Sequence, residues 1–558
     1  MRRSIILLLW LLSACRAGQA QTENPSPALA ITPPASPSIE TATEALTATP
    51  EAIEDVQAPW PYSVHVHPEG GLFVGDVVSF EVTSDTTPQD QEIMISIEDP
   101  AALEFGSQPF NPLGFNGQST AKFLWVWDTH GFEPGEYVIV FEVIPDGPTW
   151  RETIQLRSTQ ELQDHFGLSS WEMQTNNCCR IYYLTGTASQ RDLETISANI
   201  DAQAEYVVEL MEMDFAEAPE VVVIPRVIGH GGFASDEVYV SYLDRNYTSN
   251  SFYQVLRHEM VHLIDRQIGG GMRPSMLAEG YAVFLSGGHY KPEALMPRAA
   301  ALLTLEWYIP LPELAGEFYL FQHELGYLEA GGLIEFMTSE WGRTAFEDFY
   351  RDIDANDSGD QVEAINRALI EHFSLDFEEL DALYVSSLAQ FDLSQDVLSE
   401  MELMVAFYDT VRRYQGILDR SAHFQSAWFL DIDDMWDRQI TADYQRSPAS
   451  IENIVLEIML ADAGRKMGMG DALGARELLA GINGVLYGFE ENHSAPLQDN
   501  SLGRSYHDIT TLLLELGYSP QLIELEKETA RAIVQIDGPE LIEVSLIYSD
   551  GAWVIVKP

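Results

Sequence analysis

Cysteine is nearly absent from this chain of 558 residues, which contains only Cys15, Cys178 and Cys179. That count excludes a disulfide-stapled scaffold and a cysteine-based metal site. The adjacent pair Cys178-Cys179 admits a strained vicinal disulfide or two reduced, half-buried thiols, and the thiols are the plainer expectation. Positive charge is scarce as well: 30 Lys and Arg stand against 87 Asp and Glu, a net charge of −57. A surface of that sign repels phosphate backbones and argues against nucleic-acid partners. Long apolar runs are also missing. Ile5 to Leu12 is far too short to span a bilayer as a mature helix, and no later segment is apolar enough to cross one.

What is present begins with a leader. Met1-Arg2-Arg3 is a short positive region before the apolar stretch, the pattern of a signal peptide. Its end, Leu12-Ser13-Ala14-Cys15, resembles the bacterial lipobox, which implies cleavage after residue 14 and lipidation of Cys15. Two or three acyl chains would anchor the chain to a membrane, outside the cytoplasm. Residues 15–59 are rich in Pro, Thr, Ala and Ser and too poor in large apolar side chains to fold, so they read as a tether.

The remainder is too long for one hydrophobic core, and three or four domains are expected. From Trp60 the pattern is short alternating runs, among them Val77 to Val82 and Tyr137 to Val143, each with one buried face. The stretch Trp127-Asp128-Thr129 with Pro134-Gly135-Glu136-Tyr137 resembles the penultimate hairpin of bacterial immunoglobulin-like modules. That resemblance implies a β-sandwich over residues 60–160, acting as a spacer.

The chemistry concentrates further on. Residues 251–268 read as one amphipathic helix, with Ser251 and Gln254 as a capping box and Gly269-Gly270-Gly271 as its stop. On it His258 and His262 lie one turn apart on the same face, the spacing two imidazoles need to share one ion. Glu259, beside the first histidine, can reach a metal-held water without ligating. A catalytic zinc needs a third protein ligand and an open fourth position. Residues 274–284 read as a second helix, with Pro274 near its first turn and Gly287-Gly288 after it. It carries Glu279, seventeen residues after His262, and an antiparallel helix pair can bring that carboxylate back over the histidines.

His258-Glu259-Met260-Val261-His262 followed by Leu277-Ala278-Glu279-Gly280-Tyr281 resembles the gluzincin peptidases, including the zinc aminopeptidases and peptidase MA-like domains. The resemblance covers residues 165–392. It implies His258, His262 and Glu279 as zinc ligands and Glu259 as general base. Asp265 and Ile268 stand where metzincins need Gly and His, and Val283 stands where thermolysin has a supporting Asp. Asp265 remains as a partner for a ligand histidine, with a helix-surface aspartate the plainer reading. Upstream, Val221 to Pro225 and Val238 to Tyr242 read as strands flanking a glycine-rich loop with His230. Gluzincins bind extended substrate along an edge strand there. The Gly-x-Met-Glu-Asn motif with which aminopeptidases hold a substrate amine is missing, so an endopeptidase is preferred. Downstream, the resemblance implies Tyr327 as the hydroxyl donor to the developing oxyanion, with His323 as rival.

Other candidates are weaker. Asp352 to Asp360 with Glu363 has oxygens at EF-hand offsets, but Asp357 replaces the required glycine, so an ordinary acidic loop is expected. His289 is a poor competitor for the metal beside Glu279. Residues 393–530 carry amphipathic helical stretches such as Val397 to Leu418 and Ile451 to Val485, and residues 531–558 read as a closing β-hairpin. The expected whole is a multidomain chain: β-sandwich, α+β gluzincin domain, helical region and hairpin. Its expected function is a membrane-tethered zinc endopeptidase acting on peptides or proteins. An aminopeptidase, or a non-catalytic surface binding protein with a gluzincin-like fold, is the alternative.

Overall fold

The computed structural model describes residues 58–557 apart from 87, 89, 99–102, 112–117, 163–168, 226–230, 322, 355–358, 425–429, 447 and 537–539. It is a mixed α/β, multidomain architecture with four sheets and a helical C-terminal region. The leader, Cys15 and the tether lie outside the described residues, and so does His230. No described helix is long and apolar enough to cross a membrane.

Alternating apolar residues build the first unit. Its strands are β1 (Tyr62–His67), β2 (Leu72–Phe73), β3 (Val77–Ser84), β4 (Glu92–Ile97), β5 (Glu104–Pro109), β6 (Ser119–Asp128), β7 (Gly135–Ile144) and β8 (Thr149–Arg157). They form two sheets, ordered β1-β3-β6 and β2-β8-β7-β4-β5, which share one core around Phe80, Phe123, Trp127 and Phe141. Strand β3 is buried on both faces, because its second face does not meet water.

A third sheet follows from β9 (Trp171–Thr175), β10 (Arg180–Leu184), β11 (Glu220–Ile224), β12 (Gly232–Ala234) and β13 (Val238–Ser241), ordered β12-β13-β11-β10-β9. Strand β11 pairs in parallel with β10 and with β13, and its continuous Val/Ile run suits a strand covered on both sides. Strand β12 is an edge, paired antiparallel with β13. The turn between β9 and β10 holds Cys178 and Cys179 joined as a disulfide, which corrects the expectation of free thiols. Their backbone N–H groups donate to Asp201 Oδ1 and Asn176 Oδ1, at 3.0 and 2.9 Å, so side chains fix the turn in which the bond closes.

The C-terminal region differs from its sequence reading in two ways. The stretch Ile451 to Val485 is two helices, Ile451–Gly468 and Ala472–Glu490, broken where Gly470 turns left-handed at φ 78°. The expected closing hairpin forms but is half of a four-stranded antiparallel meander: β14 (Ser519–Glu526), β15 (Thr529–Gln535), β16 (Leu541–Ser549) and β17 (Ala552–Lys557). One apolar cluster runs from Cys179 to Trp553, continuous across the boundary expected near residue 392. The C-terminal helices therefore pack against the region that carries His258, His262 and Glu279. Gln415 donates to the Tyr247 hydroxyl at 2.9 Å, and Glu457 pairs with Arg245, both in the loop entering the helix Phe252–Ile268.

Residues 430–446 join the two β units. Trp125, Trp171, Tyr239, Ile432 and Tyr444 share an apolar cluster, and Trp171 donates to the Ile440 carbonyl at 2.9 Å. Within this joint Arg446 forms a buried pair with Asp76. Arg446→Ala would leave that carboxylate without its partner, at a cost of about 3–5 kcal/mol. Chemical denaturation reads the loss, and an unshifted midpoint would show that the pair does not hold the joint.

Candidate metal centre

Two helices frame the site. The first, Phe252–Ile268, is capped by Ser251, whose hydroxyl accepts from Gln254 N at 3.4 Å. Only half of the expected capping box forms. The Gln254 side chain instead donates to the Ser286 and Gly288 carbonyls, at 2.7 and 2.9 Å. It thereby ties the start of the first helix to the end of the second, Ser275–Ser286. Between them, Gly270 packs where a Cβ would lie 2.2 Å from the Arg351 carbonyl oxygen, so no larger residue fits the connection.

Asp265 occupies neither of its expected positions. It is fully buried rather than on the helix surface, and it meets no ligand histidine. Its carboxylate is ion-paired with Arg273 in the connection and accepts from the Tyr350 hydroxyl at 3.2 Å. This pair anchors the loop that returns the chain toward Glu279.

The three expected ligands come together. His258 Nε2 lies 3.0 Å from Glu279 Oε2, His262 Nε2 lies 3.2 Å from the same oxygen, and the two Nε2 atoms are 3.2 Å apart. Both histidines are buried and Glu279 keeps a side-chain exposure of 15%. This is the one group of three or more His, Cys, Asp or Glu side chains placed to hold a metal among the described residues. Tetrahedral zinc with bonds of about 2.0–2.1 Å separates its donors by about 3.3 Å, so the spacing and the donor types both fit.

The buried groups act strongly on one another's protonation. Burial would lower the His262 pKa, but the Glu279 carboxylate outweighs it and the net shift is upward. Burial would raise Glu279, yet His262 and the bond from His258 hold it well below the usual carboxylate range. His258 shifts down, because burial exceeds the pull of Glu279. Glu259, also buried, contributes none of the three converging atoms. Burial pushes its pKa up to about 8, with His262 opposing and Glu279 adding. Gly232 of β12 lies against it: a Cβ there would come within 3.0 Å of Glu259 Cγ, so the glycine lets the edge strand approach the helix.

Tyr327 sits one turn into the helix His323–Trp341. Its ring lies 4.1 Å from His289, 5.0 Å from Phe318 and 6.2 Å from His258 between centroids. Burial raises its pKa well above the usual value, and Glu279, Tyr319, Tyr290 and Glu259 add to the shift. The side chain of His323 is outside those described. His289 supplies no atom to the ligand group and packs beside it. Of the EF-hand-like run, residues 355–358 lie outside the described residues; Asp360 caps the helix Gln361–Phe373 and Asp352 bonds His372 at 3.0 Å.

Sequence reading missed Tyr319, whose hydroxyl donates to Glu279 Oε1 at 2.9 Å. It belongs to a short 3₁₀ turn, Phe318–Leu320, where neither periodicity nor a motif marks it.

No protein-family model matches the chain, and no curated protein matches it. Among solved structures, an aminopeptidase N family protein from Idiomarina loihiensis aligns at 12% identity and a TM-score of 0.26, covering 60% of this chain and 78% of that one. The geometry of the site therefore carries the functional reading.

A metal bound only by the folded chain adds stability by mass action, about 4 kcal/mol at a thousandfold excess over its dissociation constant. Zinc should raise the thermal midpoint, a chelator should reverse the rise, and His262→Ala should abolish it. Equal midpoints for the native chain with and without zinc would refute the site.

Proposed function

We propose that this chain is a zinc-dependent peptidase that hydrolyses internal peptide bonds, tethered to a membrane through a lipid on Cys15. The observation that carries the catalytic part is the convergence of His258 Nε2, His262 Nε2 and Glu279 Oε2 within 3.2 Å, with Glu259 buried on the same helix. The tether and its extracytoplasmic location rest on the leader sequence, and the sandwich is read as an immunoglobulin-like spacer.

Zinc held by these three side chains supplies Lewis acidity toward the scissile carbonyl and acidifies a water. The protein's own residues supply the rest. Glu259, buried on the helix that carries the two histidines, takes the proton of the attacking water and delivers it to the leaving amine. Tyr327, held protonated by burial, donates its hydroxyl to the oxygen that gains charge. Substrate adds to β12 as a further strand. Hydrogen bonds Ser241 N to Gly231 O and Ser235 N to Glu237 O put Gly232 and Ala234 in the outward-facing positions of that strand. The Ala234 carbonyl already accepts from Arg266 at 2.8 Å, so pairing is centred on Gly232, next to Glu259. The preference for internal bonds rests on the missing amine-binding motif.

Glu259→Gln should retain zinc yet lose about 100-fold or more in kcat/KM on a peptide library, the share expected of a general base. Internal cleavage products support an endopeptidase, and release of single N-terminal residues supports an aminopeptidase. If the native chain and the variant both bind zinc and neither cuts, the chain is a binding protein. Tyr327→Phe should lower kcat by about 10²–10³ with little change in KM, and an equal fall in zinc content would assign the residue elsewhere.

A further inference from the structure

The Glu279 carboxylate has two oxygens, and the structure gives them different neighbours. Oε2 faces both imidazoles at 3.0 and 3.2 Å. Oε1 accepts a hydrogen bond from the Tyr319 hydroxyl at 2.9 Å. This bond sets the rotation of the carboxylate about its terminal bond, which in an isolated glutamate is soft.

We infer that Tyr319 is a positioning residue that holds Glu279 as a one-oxygen ligand. This inference rests on the reading of His258, His262 and Glu279 as a zinc site. A carboxylate can bind a metal through one oxygen or both, and chelation by both would take a position that a hydrolytic site keeps open for water and substrate. A phenol O–H on Oε1 engages that oxygen and turns its lone pair away from the imidazoles. Partners that orient ligands in this way contribute to affinity as well as geometry. The role is separate from that of Tyr327. Tyr319 bonds the ligand and is 37% exposed, whereas Tyr327 is 8% exposed and packs on His289. The two residues share a wall, because Phe318 of the same turn packs at a tilt against Tyr327, 5.0 Å between centroids.

The test compares Tyr319→Phe and Tyr327→Phe with the native chain. Zinc affinity is measured by chelator competition, and the cobalt-substituted proteins by visible absorption. Tyr319→Phe should bind zinc about 10–100-fold more weakly. Its cobalt bands should weaken, as they do when coordination number rises. Tyr327→Phe should leave both unchanged. Native zinc affinity and an unchanged cobalt spectrum in Tyr319→Phe overturn the proposal. Failure of the native chain itself to bind either metal overturns the zinc site, and the proposal with it, before activity is considered.

Discussion

Glu279 Oε2 lies within 3.2 Å of two buried imidazole nitrogens, and a carboxylate held this far from water must be met by N–H donors or by a cation. Bringing these groups together is the constraint on the rest of this region. His258 and His262 come from one helical turn, but Glu279 must return across a loop and a second helix. The loop is held by the buried Asp265–Arg273 pair and by the close fit of Gly270. The helix ends are tied by Gln254, and the carboxylate is oriented by Tyr319. Each of these contacts acts on position rather than on chemistry.

The same logic extends outward. The first ligand helix is entered through residues 244–250, and that loop is gripped by Glu457 and Gln415 from helices more than 150 residues later. The C-terminal region, which carries no recognisable catalytic motif, therefore belongs mechanically to the site. Its helices share one core with the sheet and with the ligand helices. The few cations of this acidic chain are placed accordingly. Arg273, Arg245, Arg412 and Arg446 all face buried carboxylates, two near the site, one between helices and one at the joint with the β-sandwich. In a chain with 87 acidic residues, such carboxylates would otherwise oppose burial.

The sequence by itself determined what depends on short spacing. His258, Glu259 and His262 share a helix whose bounds follow from Ser251 and the glycine run. Pro274 and Gly287 bracket the next one, and the apolar runs of β11 and β13 mark strands. These features are local, since helix period and backbone sterics act over a few residues. Only the tertiary structure decided what depends on distance. It joined Cys178 to Cys179, and it took Asp265 from the surface into a pair with Arg273. It split residues 451–485 at Gly470 and extended the closing hairpin to four strands. It also brought Tyr319 onto Glu279 across 40 positions of chain. No periodicity records such a contact, because it exists only once the intervening helices have packed.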